Sequence, residues 1–190
     1  MATMVITGNP GTGKHLIGKA IARKLKAHIV DINEFVISNN IGTVNDERKT
    51  FDVDIKKAVY LLRKEILAKE DPIIIGHLAP YLLRAGDTKF VVVLRRSPSL
   101  LLQTFKDRGY SEIKIKENII TEIIGVCLYD AIKKFSRSKV AEFDTSDISI
   151  GQIVMRILKA LNDNTKREVG KIDWLSKIKN EHDLMKLISY

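Results

Sequence analysis

The sequence predicts an α/β fold, a five-stranded parallel sheet with helices on both faces, and three observations predict it. Short apolar runs alternate with amphipathic helical segments along most of the chain. Two of those runs, Ile73-Ile74-Ile75 and Lys89–Leu94, are near-continuously apolar, as strands buried on both faces are. Between the first run, Met4-Val5-Ile6, and the first helical segment lies Gly8-Asn9-Pro10-Gly11-Thr12-Gly13-Lys14-His15, which gives the order strand, glycine-rich loop, helix.

The elements follow in order. The first strand covers about residues 3–7, and the first helix runs from Gly13 to about Lys26, with Leu16, Ile17, Ala20, Ile21 and Leu25 as its inner stripe. Ala27–Asp31 reads as the second strand. Residues 34–50, rich in Asn and charge, read as a short helix and then a loop that includes Asp46-Glu47-Arg48-Lys49. Ile55, Ala58, Val59, Leu62 and Ile66 have helical spacing and predict a helix from Asp54 to about Lys69, stopped by Asp71-Pro72. Residues 73–75 and 89–94 are the third and fourth strands. Ser97-Pro98 starts a helix with Pro at its first position, and Gly109 closes it. One longer helix is expected over about Lys116–Phe135, a fifth strand over Lys139–Phe143, and a last domain helix over Ile148–Leu161. Residues 163–190 read as a polar linker and a short helix near 173–188. Its stripe (Trp174, Leu175, Ile178, Leu184, Leu187) is expected to pack back onto the domain, with a docking helix for a partner as the alternative.

Composition bounds the function. A chain of 190 residues makes one domain with room for an appendage. It buries about 70% of its unfolded surface, so it needs neither disulfide nor metal to fold. No apolar run approaches ~18 residues, so no membrane span is expected. The N-terminus leads straight into a strand, so no signal peptide is expected. Cys127 is the single cysteine, which excludes an internal disulfide and a cysteine-rich zinc site and fits the cytoplasm. The net charge of +9 raises RNA as a contact. Much of the excess, however, lies at 14–26 and 84–116, flanking the glycine-rich loop and the fourth strand, where phosphates would be held.

Glycines let successive backbone N–H groups of the loop turn inward as an anion nest at a helix N-terminus. Lys14 would reach the outer phosphates of a nucleotide. The residue after it is normally Ser or Thr, whose hydroxyl meets magnesium, and here it is His15. Arg108 ends the helix that Ser97-Pro98 starts, just before a basic stretch with Lys114 and Lys116, and it reads equally as a phosphate clamp or as a surface arginine at a helix C-terminus. Arg95 and Arg96 end the fourth strand and Asp31 ends the second, at the sheet edge where α/β folds take ligands. Asp52 and Asp54 flank a helix entry, and one of them is expected to cap it. His77 follows the third strand, where a carboxylate that holds magnesium through water is usual and none occurs.

With these motifs the chain resembles the atypical adenylate kinases called adenylate kinase isoenzyme 6, including archaeal members, from its first strand to about Leu161. The motifs are TGNPGTGKH at 7–15, FDVD at 51–54, GH at 76–77, VVVLRR at 91–96 and RGYSEIKIKENIITEI at 108–123. The resemblance implies a P-loop NTPase fold of the nucleoside monophosphate kinase kind at 1–162, with a part that takes AMP at about 32–56 and a short lid at about 108–117. It implies ATP on Asn9, Gly11, Thr12, Gly13, Lys14, His15 and Leu16, with Lys14 and Arg108 catalytic. Asp31, Asp52, His77 and Arg95 are then candidates for the second nucleotide and the lid. Magnesium is implied without assigned ligands, because His15 stands for Ser/Thr and Ile75 for the Asp of the family's Asp-x-His signature. A role in small ribosomal subunit maturation and contact with a platform ribosomal protein are implied by resemblance only. The competing expectations are a weakly catalytic nucleotide-binding assembly factor and a small-metabolite kinase of the shikimate or cytidylate kind. The latter needs an acidic or arginine set in 31–60 that the sequence does not show.

Overall fold

The computed structural model describes residues 3–45, 50–67 and 71–178. Its centre is a parallel sheet built from β1 (Thr3–Gly8), β2 (Ile29–Asp31), β5 (Ile73–Ile75), β6 (Thr88–Arg95) and β7 (Val140–Asp144), in the order β2-β5-β1-β6-β7. Period-two alternation sends neighbouring side chains to opposite faces. Val5, Ile74, Val91 and Val93 pack under α3 (Ile55–Leu67), α4 (Ala79–Leu82) and α7 (Val126–Phe135). Met4, Ile6, Ile73, Ile75, Phe90, Val92 and Leu94 pack under α1 (Lys14–Leu25) and α8 (Ile150–Asn162). The predicted sheet with helices on both faces is therefore the fold observed. β1 lies between β5 and β6, so the chain order reverses beside it and opens a crevice at the strands' carboxyl ends.

Four local expectations change. The loop expected toward residue 50 instead holds β3 (Gly42–Asn45), which forms a small antiparallel ladder with β4 (Thr50–Val53), Val44 facing Phe51. The charged run 46–49 lies outside the described residues. Phe51 and Val53 pack against the core and hold the ladder down. The single helix expected at 116–135 is two helices, α6 (Glu112–Ile124) and α7. Gly125, in the left-handed region at φ 74°, turns the chain between them. α6 also starts earlier than expected because Ser111 caps it, accepting from the Lys114 N–H. On α1 the inner face is Ile17, Gly18, Ile21 and Ala22, while Leu16 and Leu25 are exposed. Leu16 instead lines the crevice.

A third apolar cluster joins α5 (Pro98–Asp107) to α6 through Leu101, Phe105, Ile115, Ile119 and Ile123, with Ile178 of the C-terminal segment packed against it. That segment docks: Val169 and Trp174 are buried, the latter in the short helix α9 (Trp174–Lys177). Leu184 and Leu187 lie outside the described residues.

Candidate functional site

The glycine-rich loop leaves the carboxyl end of β1 and enters α1. Gly11 and Gly13 have φ of 82° and 91°, and that left-handed backbone is what turns the loop at those two points. Thr12 is buried, its hydroxyl donates to the Asn9 carbonyl (2.9 Å), and the Thr145 hydroxyl donates to the Thr12 carbonyl (3.1 Å). Arg96 donates from Nη1 to the Gly11 carbonyl (2.9 Å). The loop is thus pinned from β6 and from the turn after β7.

Lys14 is buried and folded over the loop, with Nζ donating to the carbonyls of Gly8 (2.8 Å) and Asn9 (2.7 Å). Burial pushes its pKa down to about 8; the Asp31 and Glu122 carboxylates act in the opposite sense, and Arg108 adds to the depression. A cation held so uncomfortably gains when phosphate oxygens arrive.

A cleft of about 840 Å³ opens in front of the loop. One end is cationic, lined by Lys14, Arg96, Arg108 and Lys114 with His15 beside them. The other is largely apolar, walled by Val36, Ile37, Phe51, Val53, Ile55 and Leu78, with Asn33, Asp52 and His77 among them. Tyr110 borders the cationic end and stacks on Phe105 (centroids 5.2 Å apart, planes 6° apart), and Lys114 Nζ lies 4.6 Å over the Tyr110 ring. The stretch expected as a lid is therefore a short loop braced on α5, followed by the first turn of α6.

Each expected residue can now be placed. Gly11, Gly13, Lys14, His15, Leu16, Asp52, His77 and Arg108 line the cleft. Asn9 and Thr12, within the loop, are buried and do not line the cleft. Desolvation, and second the Lys14 charge, push the His77 pKa down, so the neutral imidazole is the form favoured. Asp54 caps α3, accepting from the Lys57 N–H (3.0 Å), which leaves Asp52 as the carboxylate at the cleft. Asp31 caps α2 (Ile32–Ser38) through Oδ1, which accepts from the N–H groups of Asn33 (2.9 Å) and Glu34 (3.2 Å). Its Oδ2 lies 2.8 Å from His15 Nδ1, an ion-pair distance without hydrogen-bond alignment, so this buried oxygen has no hydrogen-bond partner.

Arg95 does not face the cleft. It is buried, with Nε and Nη2 donating to the Glu122 carboxylate (2.7 Å) and main-chain carbonyl (2.6 Å) and Nη1 donating to Glu142 (2.7 Å). Consecutive residues of a strand point opposite ways, so Arg95 turns inward and Arg96 outward. Glu122 escaped the sequence reading, although it occupies the inner stripe of α6 with Ile115, Ile119 and Ile123. An acid on a helix's apolar face is the signal that would have found it.

An orphaned buried carboxylate oxygen beside an imidazole suits a divalent cation at the loop. Among the described residues no three His, Cys, Asp or Glu side chains converge as a self-sufficient metal site. Such a cation would take most of its ligands from phosphate and water, as magnesium does.

The parallel sheet, the glycine-rich loop and the cationic cleft define a P-loop protein with a kinase-like fold. The profile of the AAA domain family matches residues 4–125, and the chain belongs to that family. More narrowly, it belongs to a family of archaeal proteins that carry the name "Putative adenylate kinase". The member from Pyrococcus furiosus is 33% identical over 90% of each chain. The member from Saccharolobus islandicus is 34% identical over 97% of this chain and 93% of its own. Among solved structures, shikimate kinase from Acinetobacter baumannii in complex with shikimate matches with a TM-score of 0.60 at 16% identity, covering 86% of this chain and 94% of that one. Shikimate kinase from Bacteroides thetaiotaomicron gives 0.57 at 20%, over 85% and 99%. At those identities the likeness is one of fold.

Proposed function

We propose that the chain is an ATP:AMP phosphotransferase with associated ATPase activity. The observation that carries this is the two-ended cleft: a glycine-rich loop with Lys14, Arg96 and Arg108 at one end, and an apolar wall of Val36, Ile37, Phe51 and Val53 at the other. Phosphates suit the first end and a nucleobase the second. The name shared by the archaeal relatives agrees with it.

In this reading ATP lies with its phosphates on residues 11–15, contacted by main-chain N–H groups and by Lys14. AMP lies against the 32–56 segment, with its phosphate toward the γ-phosphoryl group. An AMP phosphate oxygen attacks the γ-phosphorus, the bond from that phosphorus to the β–γ bridging oxygen breaks, and two ADP leave. In the ATPase reaction water takes the place of AMP. The residues act by position and charge: Lys14, Arg108 and Arg96 stabilise negative charge on the transferring group. A magnesium ion with ATP, next to His15 and Asp31, supplies further charge neutralisation. Residues 108–117 serve as a short lid, and the kinase domain ends near residue 162, before a C-terminal linker and helix.

The shikimate-like alternative needs a cation to hold the acceptor's carboxylate. Among described residues, the cleft lining contributed by positions 31–60 contains no Lys or Arg, which favours a nucleobase there. The assignment to the isoenzyme 6 family, the role in small-subunit maturation, a platform ribosomal protein as partner, RNA contact and a cytoplasmic location rest on sequence resemblance and composition. Retention of a purified platform protein tests the partner, and a salt titration against rRNA tests the RNA contact. No retention in either removes that part. ADP formation from ATP plus AMP, compared with ATP alone, tests the enzyme. ATP binding with neither activity would instead leave a nucleotide-dependent assembly factor.

A further inference from the structure

His15 occupies the position from which a hydroxyl ordinarily meets magnesium in such loops. Imidazole is a better ligand for first-row transition ions than for magnesium, which favours oxygen. The structure sets a carboxylate beside it. His15 Nδ1 is 2.8 Å from Asp31 Oδ2, with the Asp31 side chain 5% exposed and that of His15 55% exposed. Asp31 is immobilised through its other oxygen by the α2 cap, and Oδ2 has no hydrogen-bond partner.

An ordinary imidazole–carboxylate pair would align the ring N–H on the oxygen, and this one does not. Adjacent ligands of an octahedral cation at ~2.1 Å lie about 3 Å apart, close to the separation found here. The exposed His15 ring can give way by the small amount needed to admit an ion, while the capped carboxylate stays fixed. The glycine-rich loop next to it supplies the place for phosphate oxygens, which would complete the shell with water.

We propose that His15 and Asp31 are direct ligands of the divalent cation that accompanies ATP, and that the imidazole makes this site favour Mn2+ and later first-row ions over Mg2+. The proposal rests on the ATP reading given above. It makes the substitution at position 15 a change of metal preference, with Asp31 as the second protein ligand.

Pulsed electron paramagnetic resonance on the full chain, loaded with Mn2+ and a non-hydrolysable ATP analogue, tests it. The expected result is nitrogen coupling from a coordinated imidazole. His15→Ser abolishes that coupling and lowers the Mn2+-over-Mg2+ preference, read by competition, by roughly tenfold or more. His77→Gln, which removes the other imidazole lining the cleft, leaves the coupling in place. Asp31→Asn weakens Mn2+ binding while the α2 cap persists, because an amide oxygen accepts the same N–H groups. Bound Mn2+ without nitrogen coupling, coupling that survives His15→Ser, or a preference unchanged by that substitution would overturn the proposal. ATP binding is measured separately with Mg2+ in place of Mn2+. If ATP does not bind there, the ATP reading fails on its own account, and the same spectrum with Mn2+ alone decides the site, absence of coupling there overturning it.

Discussion

Asn9 in the glycine-rich loop and Trp174 in the C-terminal segment donate to the two oxygens of one buried carboxylate, Glu122, at 2.6 and 2.9 Å. The loop and the tail are thus joined through α6. Arg95 lies on the same carboxylate and bridges it to Glu142, which in turn accepts from the Gly170 N–H (2.9 Å).

Two acids share one arginine in this network, and that sets the sign of each substitution. Arg95→Met leaves two buried carboxylates without their cation and is expected to destabilise the fold by about 3–5 kcal/mol. Glu122→Gln leaves Arg95 paired with Glu142 and should lose only about 1–2 kcal/mol of hydrogen bonding. Urea unfolding of both variants checks the order. A larger loss in Glu122→Gln would mean that the charge balance is misassigned.

Lys14 is buried at a cost to the fold's own stability. Its pKa, lowered from 10.5 to about 8, means that the folded state binds fewer protons than the unfolded state between those values. Its contribution to stability therefore rises with pH across that window, and below about pH 8 the charge is a net burden. Lys14→Met removes the burden along with two hydrogen bonds. The nucleotide-free protein should become more stable at pH 7 by about 1–2 kcal/mol, lose its stability gain between pH 8 and 10, and no longer bind ATP. Thermal unfolding against pH, with ATP titration, measures all three.

Much of this arrangement is legible in the sequence. The loop, the buried strands and most helices follow from glycine spacing and apolar periodicity, because those patterns report local geometry and burial. What escapes depends on partners distant in sequence. Nothing local tells that Arg95 turns toward Glu122 while Arg96 turns to the cleft, since that depends on where β6 ends. β3 and β4 are too short and polar to read as strands until they pair and Phe51 and Val53 meet the core. Gly125 lies within an otherwise continuous helical pattern, and only its backbone conformation shows the break. The pairing of His15 with Asp31 likewise needs β2 brought beside the loop.

Arg108 lines the cationic end of the cleft, where the proposed transfer would take place. Arg108→Ala should lower kcat by about 10³ while ATP affinity changes little. Steady-state kinetics with a parallel binding titration separates the two. A loss of binding with unchanged turnover would make Arg108 a binding residue.

The apolar end of the cleft is the proposed seat of the acceptor base. Phe51→Ser should raise KM for AMP by about tenfold and leave KM for ATP unchanged, given about 1–2 kcal/mol from a half-buried aromatic. Equal effects on both nucleotides would argue against the division of the cleft.

The central claim is transfer from ATP to AMP within one cleft, and the direct measurement is ADP formation by the purified chain with ATP and AMP together, AMP being varied. The account predicts two ADP per AMP consumed once the ADP formed from ATP alone is subtracted, saturation with AMP, and loss of turnover in both Lys14→Ala and Arg108→Ala. ATP that binds tightly while ADP formation stays independent of AMP would contradict it.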